Sequence, residues 1–142
     1  MIIKSIRQII EGRALPKTEP RLSVRQACHE LDRLNVGALA VLDGGRLVGV
    51  FSERDVVRKC ICRKRRTDET MVQDIMTAEP STIGIDGSLA DALSLMTDRG
   101  FRHLPVLDAD ETVGLLSMRD IPTEYRLMFQ RYVEYRTSGV PA

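Results

Sequence analysis

The chain has 142 residues, 43% of them hydrophobic, and its 21 Lys and Arg against 20 Asp and Glu give a formal net charge of +1. That suits one compact domain or two half-domains sharing a core, and the balanced charge excludes a nucleic-acid binder that works through its overall field. No apolar run approaches the roughly 20 residues of a membrane span, Met1 to Ile6 does not read as a signal peptide, and three cysteines without a secretion signal point to a reducing cytoplasm.

Ile6 to Ile10 is an apolar segment with a later counterpart at Val72 to Met76. Ser23 caps the first long helix, with Gln26 three residues on. Val24, Ala27, Cys28 and Leu31 form its apolar stripe. Ala38 to Leu42 reads as a strand, Asp43-Gly44-Gly45 as a hairpin turn and Leu47 to Phe51 as the returning strand. A helix from about Glu53 to Cys62 follows. Arg63 to Thr70 is charged, contains no apolar residue and reads as an exposed joint.

The second half runs through the same series. Met76 to Pro80 connects, Ser81 to Ile83 is short and extended, and Ser88 caps a helix with the stripe Leu89, Ala92, Leu93 and Met96. Gly100 stops that helix. Leu104 to Leu107 and Val113 to Leu116 form a hairpin across Asp108 to Glu111. A last helix starts near Asp120, with Pro122 in its first turn, and carries Tyr125, Met128, Phe129, Tyr132 and Val133. Its own module can cover that stripe, but aromatics and Met also favour an interface.

These two series are one repeat at a spacing of 65 residues. Between Ser23 and Asp55, 11 of 33 positions match their counterparts from Ser88 to Asp120. Two copies make a pair of modules, not a solenoid. The expected boundaries are 1–62 for the first repeat, 63–70 for a charged linker, 71–136 for the second repeat with its terminal helix, and 137–142 for a tail. The groove between facing copies is the natural place for a ligand.

Both copies end in Gly-hydrophobic-hydrophobic-Ser-x-x-Asp: Gly49 to Asp55 and Gly114 to Asp120. Ser52 with Asp55, and Ser117 with Asp120, have the spacing of a capping box, and that structural reading stands beside a functional one. A carboxylate accepts two hydrogen bonds at once, as the adjacent hydroxyls of a ribose require. A serine hydroxyl and free N–H groups at a helix start suit phosphate, and Arg54 and Arg119 add charge. Cys60 and Cys62, two positions apart on a helix end, point different ways and make a poor metal site. The basic cluster Arg58, Lys59, Arg63, Lys64, Arg65 and Arg66 reads as a solvated helix end, with nucleic acid as the alternative. No catalytic arrangement stands out, and the chain reads as a non-enzyme.

The chain resembles the cystathionine-beta-synthase (CBS) domain pair, or Bateman module, from about Ile6 to Arg136. The likeness rests on Asn35 to Val41 with Gly49 to Val57, on Phe101 to Val106 with Gly114 to Asp120, and on Met76-Thr77 followed by Ser81 to Ile83 and Asp86 to Leu89. It is closest in form to the small stand-alone pairs. The resemblance implies an α+β fold in which two repeats, each a small sheet with two helices, pack by their sheets about a pseudo-twofold axis. It implies two clefts for adenosine nucleotides such as AMP, ADP, ATP, NAD(H) or S-adenosylmethionine, held as regulatory ligands and not as catalytic cofactors.

In the second cleft it assigns ribose to Asp120, the motif's serine to Ser117, phosphate to Arg102 and His103, and the base to Thr82 and Ile83, with Pro105 and Arg119 beside them. In the first it assigns Asp55, Ser52 and Arg54, with Lys17 and Thr18 on the entry strand and Ala38 at the place of His103. The Asp120 cleft ranks first. The expected partners are a nucleotide, a second copy of the chain and an unidentified regulated protein. Neither a membrane nor a metal is expected, and the alternative function is a ligand-independent scaffold.

Overall fold

A computed structural model describes residues 3–137; the expected tail lies, past its first residue, outside them. Helix α1 (Ile6–Ile10) opens the fold with a capping box between Ser5 and Gln8. Strand β1 (Lys17–Thr18) leads to α2 (Val24–Leu34), where Ser23 and Gln26 form the expected box. Strands β2 (Ala38–Asp43) and β3 (Arg46–Ser52) follow. Gly44 and Gly45 turn the chain between them at φ 59° and 83°, a left-handed pair that matches the twist of the hairpin. Helix α3 (Glu53–Asp55) runs directly into a π-helical stretch, Val56–Ile61.

The second series is α4 (Val72–Ile75), β4 (Thr77–Ala78), β5 (Ile83–Gly84), α5 (Leu89–Arg99), β6 (His103–Asp108), β7 (Glu111–Ser117), a 3-10 turn over Met118–Asp120 and α6 (Thr123–Thr137). Among the described residues the strands form two sheets, ordered β1-β2-β3-β4 and β5-β6-β7. In each, a short entry strand lies parallel to a hairpin strand, Thr18 beside Val41 and Ile83 beside Val106. The 65-residue register therefore holds in space, and the architecture is the expected α+β pair of repeats packed by their sheets.

Strand alternation separates two faces. Leu39, Val41 and Phe51 point into the first core, and Leu104, Val106 and Leu116 into the second. Ala38 and Val50, like His103 and Leu115, lie on the opposite faces, where the repeats meet. The cores themselves are exchanged. Ile6, Ile9 and Ile10 of α1 belong to the core of the second repeat, and Val72 and Ile75 of α4 to that of the first. The residues from 11 to 16 therefore cross from the second core to the first sheet, where Ala40 N donates to Pro16 O at 2.9 Å.

Three local features differ from the expected elements. The helix after β3 holds its α form for three residues and then widens to π spacing. The last helix begins at Thr123, not near Asp120, because Pro122 disfavours a helical residue before it; Ile121 is extended at φ −94°, ψ 126°. Val57 stands at the place of Pro122 in the first repeat, and there the helix continues. The 63–70 joint is exposed only in part. Thr70 is buried, and the carbonyls of Thr67 and Thr70 accept from Arg25 N and Val24 N at the start of α2.

Candidate functional site

Each Gly-x-x-Ser-x-x-Asp segment leaves a sheet and turns into a helix, and the turn is tied back to the neighbouring strand at matching positions. Glu53 N donates to Gly37 O at 3.1 Å, and Met118 N to Arg102 O at 2.9 Å. In the first turn Ser52 N and Oγ both donate to Asp55 Oδ2, at 3.2 and 3.0 Å, while Asp55 N donates to Ser52 Oγ. In the second, Ser117 N donates to Asp120 Oδ2 at 2.8 Å, and Ser117 Oγ accepts from Arg119 N. The capping role is real in both copies, and it uses one oxygen of each carboxylate.

The second oxygen of each meets a cation. Asp55 Oδ1 lies 3.0 Å from Lys59 Nζ, and Asp120 Oδ1 accepts from Arg13 Nη1 at 2.9 Å. Asp55 and Asp120 are mostly enclosed, with side chains 11% and 14% exposed. Charge-assisted bonds of this kind fix the orientation of a carboxylate.

Both carboxylates open onto one cavity of about 880 Å³, where the resemblance implied two separate clefts. Gly37 and Ala38 of the first repeat and Gly114 of the second are among the residues that line it. Its lining includes five arginines, Arg13, Arg54, Arg99, Arg102 and Arg119, against three acids, Glu53, Asp55 and Asp120. His103 lies over Gly37, where a methyl group at 37 would stand 3.6 Å from its Nε2. Burial pushes the His103 imidazole below its usual pKa, and Arg102 and Arg119 add to this while Asp120 opposes it. A mostly apolar cleft of this size, with a carboxylate from each repeat and five arginines in its lining, suits a sugar-phosphate ligand of nucleotide dimensions.

The cavity brings together Ser52, Arg54, Asp55 and Ala38 from the first repeat with Arg102, His103, Ser117, Arg119 and Asp120 from the second. The remaining expected residues lie off its lining. Thr18 and Ile83 are buried, Ile83 within the second core, so the entry strands turn these side chains away from the ligand space. Lys17 is exposed, Thr82 half-buried and Pro105 enclosed within β6. Pro16, Thr77 and Pro80, from the segments before the entry strands, line the cavity instead. Arg13 has no counterpart in the repeated motif, and a basic residue in a short segment gives no sequence signal of its own.

Away from the cavity, Cys60 is buried and its Sγ donates to Arg65 O, whereas Cys62 is exposed. Among the described residues no group of three or more His, Cys, Asp or Glu is placed to hold a metal ion. Of the basic cluster, Lys59 pairs with Asp55, Arg65 with Asp74 and Arg66 with Asp68. Among the described residues no helix is long and apolar enough to cross a membrane.

Comparison with known proteins agrees with this arrangement. The family model "CBS domain" matches twice, over residues 9–61 and 72–124. The mitochondrial CBS domain-containing protein CBSX3 of Arabidopsis thaliana is 35% identical over 126 residues, covering 82% of this chain and 61% of that protein. A 17.7 kDa protein of Acidianus ambivalens is 32% identical over 105 residues, or 72% of this chain and 62% of the relative, so the chain spans about three fifths of the length of these curated relatives. A crystal structure of a CBS domain superposes with a TM-score of 0.77 at 33% identity, covering 84% of this chain and 94% of that one. A CBS domain protein from Pyrobaculum aerophilum, solved in complex with AMP, shares the fold with a TM-score of 0.75 at 24% identity, over 87% of this chain and 95% of that one. The duplicated register, the paired sheets and these matches agree: the chain belongs to the CBS domain family and is a tandem pair of CBS domains, a regulatory module.

Proposed function

We propose that the cavity binds an adenosine nucleotide, AMP or NAD(H) foremost, and that its occupancy sets how the module engages a regulated partner. One observation carries this reading: two capped carboxylates, related by the repeat, face one cavity rich in arginine. Each can accept ribose hydroxyls through the oxygen not committed to its cap, while the arginines and His103 take phosphate. Nothing in this arrangement calls for bond-breaking, and the module acts by binding, not as an enzyme. An AMP-bound relative with the same fold supports the ligand class. Three free cysteines suit a reducing compartment such as the cytoplasm.

The module also pairs with a second copy through α6. Tyr125 and Phe129 pack onto the second core, leaving Leu127, Met128 and Tyr132 exposed along the same helix. Val57 and Ile61 are exposed on the corresponding helical stretch of the first repeat. Light scattering should give twice the chain mass, and Met128→Glu with Tyr132→Glu should give the monomer.

A thermal-shift series with AMP, ADP, ATP, NAD(H) and S-adenosylmethionine tests the ligand reading, because a ligand of the folded state raises its melting temperature by mass action. AMP or NAD(H) should raise it. No shift with any of them at millimolar concentration would leave the aspartates as helix caps in a ligand-independent scaffold.

A further inference from the structure

The two ends of the cavity hold their carboxylates with cations from different parts of the fold. At Asp55 the cation is Lys59, one turn along the helix, and Lys59 Nζ also donates to Ile75 O at 3.2 Å. It stands behind the carboxylate, outside the cavity lining. At Asp120 the place of Lys59 in the register is taken by Glu124, and the cation is Arg13, which lines the cavity and is 53% exposed. The matching segment before the second entry strand, Thr77 to Ser81, contains no Lys or Arg.

Arg13 sits on a short crossing with both ends fixed. Its own N donates to Ile10 O at 3.1 Å, and Pro16 O is held by Ala40 N. The guanidinium is therefore confined to this end of the cavity while its side chain keeps room to turn. It occupies Oδ1, the oxygen of Asp120 not spent on Ser117 N.

We infer that Arg13 is a specificity-determining residue that makes the Asp120 end of the cavity select a nucleoside phosphate over the bare nucleoside. This rests on the nucleotide-binding reading above. A ribose hydroxyl reaching Asp120 from the cavity competes with the guanidinium for Oδ1. A nucleoside offers nothing in exchange, so a charge-assisted bond is lost. A nucleotide carries a phosphate that the displaced guanidinium can bind, and the charge pairing is restored. At the Asp55 end Lys59 stays behind the carboxylate and applies no such filter.

Calorimetry with AMP and with adenosine tests this in an Asp55→Asn background, which silences the other end. The Arg13-intact protein should prefer AMP. Arg13→Ala should weaken AMP by about tenfold or more while leaving adenosine unchanged or tighter, so that the preference collapses. Arg13→Lys, which keeps the charge, should restore part of it. An AMP-to-adenosine ratio that is the same with and without Arg13 overturns the inference and leaves nucleotide binding intact. Failure of the native protein to bind either compound overturns the inference, and the nucleotide reading falls with it only when ADP, ATP, NAD(H) and S-adenosylmethionine also give no thermal shift.

Discussion

Ile10 lies where any side chain at position 114 would have to go. A methyl group on Gly114 would stand 3.0 Å from both Cδ1 and Cγ2 of Ile10. The first repeat has the same relationship in tighter form: a methyl group on Gly49 would meet Met76 Sδ at 2.6 Å and the backbone oxygen of Thr77 at 2.9 Å. The glycine that opens each Gly-x-x-Ser-x-x-Asp segment thus makes room for the segment that enters from ahead of the other repeat.

Gly49→Ala and Gly114→Ala should therefore both destabilise the fold, by about 1–3 kcal/mol as overpacking does. Gly49→Ala should cost more, because a backbone oxygen yields less readily than the side chain of Ile10. Urea unfolding of the two variants measures this, and the reverse order would mean that β4 shifts more easily than α1.

Removing the carboxylates should separate ligand binding from capping. Asp120→Ala should weaken nucleotide binding roughly ten- to hundredfold, the loss of hydrogen bonds to a charged acceptor. Asp55→Ala should weaken it less, since Arg13, Arg102 and His103 gather at the Asp120 end. Asp120→Asn keeps an oxygen for Ser117 N and should retain more stability than Asp120→Ala while still losing affinity. Calorimetry and melting curves on the three variants decide the order.

His103 should make stability fall on mild acidification. Burial beside Arg102 and Arg119 holds its folded pKa below the ordinary value of 6.5. As pH drops below about 6.5 the unfolded chain takes up the proton first, so the unfolded state binds more protons and stability falls. The fall continues until pH passes below the folded pKa. Above about pH 7 both states are neutral at this site and its contribution is flat. Denaturation at about pH 7.5 and about pH 5.5 should show a smaller difference for His103→Gln than for the native protein.

The three thiols should react in a fixed order. Cys62 is exposed and should be modified first. Cys28 is half-buried, and burial raises its thiol pKa, so less of it is thiolate at neutral pH and it should react more slowly. Cys60 is fully enclosed and should react only when the first core opens. Mass-mapped alkylation over time would read all three, and early labelling of Cys60 would contradict the packing around Val56 and Phe51.

Much of this was legible because it is local. Caps such as Ser23 with Gln26, the Gly44-Gly45 turn and the 65-residue register are written within a few residues or in their repetition. The cavity residues of the two motifs came with them. What the sequence hid depends on distant partners. Arg13 meets Asp120 across 107 positions, and no local pattern marks that pair. The exchange of α1 and α4 was invisible because an apolar helix reads the same whichever core it enters. Thr18 and Ile83 match expectation in register but face inward, since a two-residue strand is too short for alternation to show its buried side.

The exchanged helices bear on how the molecule is divided. The joint at 63–70 offers an obvious place to cut, yet neither fragment could close around itself. The first would lack Val72 and Ile75 and leave Ile6, Ile9 and Ile10 with nothing to bury them; the second would be short of those three isoleucines. Two identical copies of the first fragment could meet both needs by handing α1 to each other. The full chain has the geometry of that swapped pair carried in a single polypeptide, and it gains or loses its two cores together.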